Sequence, residues 1–178
     1  MLLSQSNSDK SNMLRSDPDS GRLEDTFLNL RILVIDEQFY KGLRNKLYSK
    51  FQSGASVILY DMGLGYGEIM GRNMNEMKIS KFELINKFME LGRTHGYGVF
   101  HTPLLKMILS GIQGEPSVRI ENCFFATSVG NTGKSECYIM AGIIAGASQI
   151  ILDKNFTCIE EKCLCKGDPY CEFKLRKT

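Results

Sequence analysis

The stretch 156-FTCIEEKCLCKGDPYCEF-173 holds four of the chain's six cysteines, from Cys158 to Cys171, wrapped around a strong turn signal. In Lys166-Gly167-Asp168-Pro169, glycine supplies backbone angles that other residues avoid, and proline cannot continue a strand. Beyond the turn, Cys171, Phe173 and Leu175 share one parity while Glu172, Lys174 and Arg176 share the other. That alternation belongs to a strand with one face buried and one face wet. Residues 156–163 and 170–176 are therefore predicted to form the arms of a β-hairpin that closes the fold.

Working outward, residues 134–152 are apolar nearly all the way round, the pattern of a buried helix. In residues 118–124, Val118, Ile120 and Phe124 face one way and Arg119 and Glu121 the other, which predicts a strand. The alternation of Tyr97, Val99 and His101 predicts another. Helices are expected over residues 55–73 and 80–93, the second opened by a Ser80/Glu83 capping box. Phe39, Leu43, Leu47 and Phe51 recur every fourth residue, as on the apolar face of a helix. Residues 30–35, LRILVI, read as a short buried strand. Hairpin-linked strands with helices grouped between them predict an α+β fold, a largely antiparallel sheet flanked by helices.

Two glycine-rich segments imitate nucleotide-binding motifs. Gly63, Gly67 and Gly71 in 61-DMGLGYGEIMG-71 lie four apart, not at the positions of the dinucleotide fingerprint. They fit one face of a helix packed closely on a neighbour. In 128-SVGNTGKS-135 the ending matches a phosphate-binding loop, but Ser128 stands where its first glycine is required, so a turn leading into a helix is expected.

The chain has 178 residues and a formal net charge of +2. Residues 1–26 are polar and rich in Ser, Asn and Asp, which predicts a disordered tail before a domain at residues 27–178. Charges of both signs are mixed along the chain, so no nucleic-acid partner is expected. The longest uncharged run, residues 137–152, is shorter than the roughly 20 residues a membrane span needs. A cytoplasmic location is expected, where thiols stay reduced and clustered cysteines point to metal or catalysis more than to disulfides.

Zinc takes four ligands from thiolate, imidazole or carboxylate. The hairpin offers Cys163 and Cys171, Glu160 lies just upstream, and Cys137 opens the buried helix, giving Cys-x22-Glu-x2-Cys-x7-Cys. Strand alternation puts Glu160 and Cys163 on opposite faces, so this set requires a kink or bulge between them. The residues alone leave alternatives open: Cys165 or Cys158 in place of Glu160, a redox pair of Cys163 with Cys165 or Cys171, or buried free thiols.

The ending 137-CYIMAGIIAGASQIILDKNFTCIEEKCLCKGDPYCEF-173 resembles the 4-vinyl reductase domain family, and a looser similarity runs from about residue 28 to 177. The matching positions are Ala141-Gly142, Ala145-Gly146, Glu160, Lys162, Cys163, Gly167, Asp168, Cys171, Glu172 and Phe173. The resemblance implies a fold like that of small TRAPP transport subunits, a homodimer, and a Zn2+ held by Cys137, Glu160, Cys163 and Cys171. It also implies a pocket for a small hydrophobic or aromatic molecule, for which His95, Tyr97, Phe100 and Phe125 are the expected ligand-binding residues. Cys165 departs from the family pattern, and the chain has no Trp to line such a pocket. The function so implied is a sensor or regulatory module acting through a downstream protein partner. The alternatives are an enzyme or accessory subunit in tetrapyrrole vinyl-group reduction, as the family name suggests, or a scaffold acting by dimerisation. No nicotinamide or flavin fingerprint accompanies the reductase reading.

Overall fold

The structure is a computed structural model that describes residues 13–102 and 116–178. The chain divides into two compact units, which meet in sequence between Val34 and Ile35.

In the first unit, β1 (Leu14–Asp17), β2 (Arg22–Asp25) and β3 (Leu30–Ile32) form an antiparallel meander. The expected disordered tail lies outside the described residues only up to residue 12; from Leu14 on, its place is taken by a hairpin. The local reason is 17-DPDSG-21. Asp17 accepts hydrogen bonds from the Asp19 and Ser20 amides at 3.1 and 3.3 Å, and Gly21 takes φ +63°. These are turn-making groups in a polar segment. Residues 30–35 are not a buried strand either: β3 ends at Ile32, and Leu33 and Val34 are 82% and 76% exposed.

The second unit is an α+β arrangement, with α1 (Glu37–Phe51), α2 (Gly54–Asn75) and α3 (Lys81–Thr94) leading into a four-stranded sheet. That sheet is antiparallel throughout, in the order β4 (Val99–His101), β5 (Ser117–Glu121), β7 (Cys171–Lys177), β6 (Phe156–Lys162). Between β5 and β6 lie the short α4 (Phe124–Val129) and the long α5 (Tyr138–Leu152). Parity places Phe124 in a strand, but β5 stops at Glu121. Asn122 turns the chain with φ +52°, and Phe124 opens α4. The buried helix begins at Tyr138, so the segment 130-GNTGKS-135 is a loop before it, whose Thr132 and Gly133 amides both donate to Cys165 O at 2.9 Å.

α5 packs along α2 at backbone contact. A Cβ on Gly67 would lie 2.3 Å from Ile143 O, and one on Gly142 2.1 Å from Tyr60 O. Side chains there would force the helices apart. This is the packing face that the spacing of Gly63, Gly67 and Gly71 predicts. The Ser80/Glu83 capping box is present at the start of α3. α1 is turned from its expected setting. It buries Tyr40 and Arg44, leaving Phe39 and Phe51 58% and 55% exposed. Arg44 Nε donates to Glu136 Oε2 at 3.1 Å, and Tyr40 meets Phe125 edge-on with ring centroids 4.9 Å apart. A buried carboxylate needs its partner charge, so this pairing sets the helix orientation over the apolar row.

Candidate metal centre and ligand cleft

Cys137 sits at the N-cap of α5, and Cys163 and Cys171 flank the turn between β6 and β7. Gly167 takes φ +91° in that turn, and Asp168 Oδ2 accepts from the Cys163 amide at 2.8 Å, fixing the thiol's position. Between Glu160 and Lys162 the β6–β7 register shifts, with Glu160 opposite Phe173 and Lys162 opposite Glu172. The shift is the bulge that the alternation of β6 requires, and it lets Glu160 and Cys163 approach one point.

One ligand atom from each of Cys137, Glu160, Cys163 and Cys171 lies within 4.8 Å of the others, and all three cysteines are fully buried. Cys137 Sγ is 3.9 Å from Cys163 Sγ and 3.8 Å from Cys171 Sγ. Tetrahedral coordination at about 2.3 Å per metal–sulfur bond sets sulfurs roughly 3.8 Å apart. Glu160 Oε2 accepts from the Cys137 amide at 3.0 Å, while its Oε1 is buried without a hydrogen-bond partner among the described residues. Burial, then the neighbouring Cys163, pushes this carboxyl up to about 8. An unpartnered carboxylate oxygen beside three thiols is what a soft divalent cation would satisfy. The residues fit a metal ion.

The remaining cysteines separate. Cys165 is buried with its thiol toward Ala126 O at 3.4 Å, and Cys158 lies on β6 with its amide donating to Tyr60 Oη at 3.1 Å. Burial raises the thiol pKa of both. Sequence reasoning does not single out Cys123. Its Sγ lies 3.8 Å from Cys137 Sγ, and hydrogen bonding from Cys137 holds its thiol pKa well below the ordinary value. Its only signal is a place directly after a strand, since Cys123 is fourteen residues from Cys137 and outside the hairpin.

Of the expected pocket residues, His95, Tyr97 and Phe100 line one interior cavity of about 10 Å³, together with Phe88 and Met140. That is room for about one water. Phe125 stacks on Tyr97 with ring centroids 5.9 Å apart. A second interior cavity beside Phe88 and Val118 measures about 20 Å³. Outside the core, a cleft of about 430 Å³ runs between α2, the start of α5 and β6, with Glu160 among its walls.

A buried thiol–carboxylate cluster at the base of an antiparallel hairpin, under a close helix pair, defines a metal-binding-competent α+β domain of the TRAPP-like kind. Residues 116–177 match the family model of the vinyl-4-reductase domain, and the chain carries this domain. Two proteins of Methanocaldococcus jannaschii, MJ0150 and MJ0745, are 26% and 28% identical over 69% and 68% of the chain. The matches span 65% and 56% of those relatives' lengths, under two thirds of each. Among solved structures, the phenol-responsive sensory domain of the transcription activator PoxR, with phenol, superposes with a TM-score of 0.80 at 15% identity. The match covers 94% of this chain and 86% of that one. A vinyl-4-reductase family protein from M. jannaschii gives 0.62 at 17% identity, covering 83% and 84%. Trafficking protein particle complex subunit 3 from Naegleria fowleri, covalently bound to palmitic acid, gives 0.52 at 18%, covering 80% and 92%. At these identities the likeness establishes the fold.

Proposed function

We propose that the chain is a sensor module in which a zinc ion stabilises the domain and a small, mostly apolar molecule is the signal. The observation that carries this reading is the closed donor set. Three thiols and a carboxylate leave a tetrahedral ion no open position, whereas catalytic zinc keeps one. Cys137, Glu160, Cys163 and Cys171 would hold the ion, which would tie the start of α5 to the closing hairpin and so add to folding stability. The Cys137 amide and Asp168 orient the ligands, and Arg44 neutralises Glu136 beside them. The sensory role is supported by the fold shared with the phenol-responsive PoxR domain.

The exposed apolar row Phe39, Leu43 and Phe51 on α1 supports a second copy of this chain as the immediate partner. Among the described residues no helix is long and apolar enough to cross a membrane. Native mass spectrometry on protein purified without added metal tests the reading. One zinc per chain, a dimer mass and a co-purified organic molecule are expected. A metal-free monomer that folds and melts as well as the zinc-treated protein would overturn it.

A further inference from the structure

The α2–α5–β6 cleft is the one space among the cavities described above that matches a small-molecule site, which typically measures about 300–1,000 Å³ with mostly apolar walls and few polar groups. Val57, Ala141 and Ile159 supply apolar surface, and Ser56, Tyr60 and Tyr138 supply hydroxyls. Tyr60 is positioned to donate. Its oxygen already accepts from the Cys158 amide at 3.1 Å, which fixes the ring and leaves the hydroxyl proton for the cleft. Ser56 donates its own proton to Ser53 O at 2.7 Å and so offers the cleft an acceptor oxygen. Among the described residues no Lys, Arg or His lines the space, and its one carboxyl, Glu160, would repel an anion.

We propose that this cleft, not the ring-lined interior, binds the signal molecule, and that the ligand is an uncharged, largely apolar compound carrying a hydrogen-bonding oxygen held by Tyr60. The inference rests on the sensor reading and assigns its site and ligand class. Glu160 forms part of the wall, so the bound molecule rests against the same side chain that completes the metal donor set. Occupancy and the metal centre would thereby share one residue, with no other element needed between them.

The test is titration of the full chain with 2-naphthol, a neutral fluorescent probe, alongside 2-naphthoate and naphthalene. Wild type is expected to bind 2-naphthol and to bind 2-naphthoate at least tenfold more weakly. Tyr60→Phe should weaken 2-naphthol about tenfold, the loss of one hydrogen bond, while leaving naphthalene unchanged. Val57→Trp, at a position 60% exposed, should obstruct the cleft and abolish binding without lowering Tm. Phe88→Ala enlarges both interior cavities and should leave the affinity unchanged. If Phe88→Ala tightens binding while Tyr60→Phe and Val57→Trp have no effect, the probe enters the interior. The cleft proposal then falls and the sensor reading stands. A wild-type chain that takes up no 2-naphthol also overturns the proposal, leaving the sensor reading to the mass-spectrometric test.

Discussion

Two regions of α5 are held in opposite ways. Along its flank, the helix meets α2 where side chains are missing: Gly67 and Gly142 let carbonyl oxygens come within van der Waals reach of the opposing backbone. At its N-terminus, the helix is held by side chains crowded together, with Cys137, Cys163, Cys171 and Glu160 around one point. The flank is complete with the chain alone, since apolar contact satisfies itself. The N-terminal cluster is not, because an unpartnered buried carboxylate oxygen and three thiols want a cation. Packing and coordination can therefore be broken separately.

The largest effect is expected at the cluster. Cys171→Ala should abolish retained metal and with it the stability that zinc adds, a binding free energy on the order of 10 kcal/mol in small structural sites. Metal analysis and thermal melts with and without zinc check this. The variant should melt alike in both, and a full complement of zinc in Cys171→Ala would break the assignment. The flank should respond next, and without regard to metal. Gly142→Ala sets a Cβ against Tyr60 O and Leu64 N, atoms that cannot move without shifting α2. A loss of about 3 kcal/mol is expected, lowering Tm by roughly 10 °C in a chain of this size. Equal losses in zinc-loaded and metal-free protein would sharpen the contrast, and a fall confined to the loaded form would blur it.

The same contrast explains what is legible in the sequence. The glycine flank is readable because a four-residue spacing maps directly onto a helix face. The hairpin is readable from parity and the Lys166-Gly167-Asp168-Pro169 turn. Glu160 is harder: simple alternation puts it on the wrong side of Cys163, and the register shift that corrects it is a backbone feature with no residue signature. Cys123 escapes notice because nothing local links it to Cys137; only the fold brings the two sulfurs to 3.8 Å. The setting of α1 is misread when apolar periodicity outweighs a single arginine. Burial of Glu136 gives that arginine the deciding role. The first hairpin is misread when composition outweighs the turn chemistry of Asp17 to Gly21. The cleft leaves no pattern at all, as its walls come from elements distant in sequence.

The smallest effect is a slope with pH, and it separates a cluster with its ion from one without. In metal-free protein the Glu160 carboxyl is raised from 4.5 to about 8, chiefly by burial. The folded chain then keeps a proton that the unfolded chain releases. Stability from this group is fully present below about pH 4.5, falls as pH rises toward 8 and levels off above it. The slope is at most about 1.4 kcal/mol per pH unit, the limit for one proton. Denaturant midpoints measured from about pH 5 to 8 should fall more steeply for wild type than for Glu160→Gln, which has no proton to lose. With zinc bound, the carboxylate is held charged and protons compete with the ion, so stability should rise over the same range. A wild-type slope equal to that of Glu160→Gln in both conditions would mean that Glu160 neither titrates in the cluster nor meets the metal. The donor set would then have to draw its fourth ligand from elsewhere, with Cys123 the nearest thiol to Cys137 outside the set.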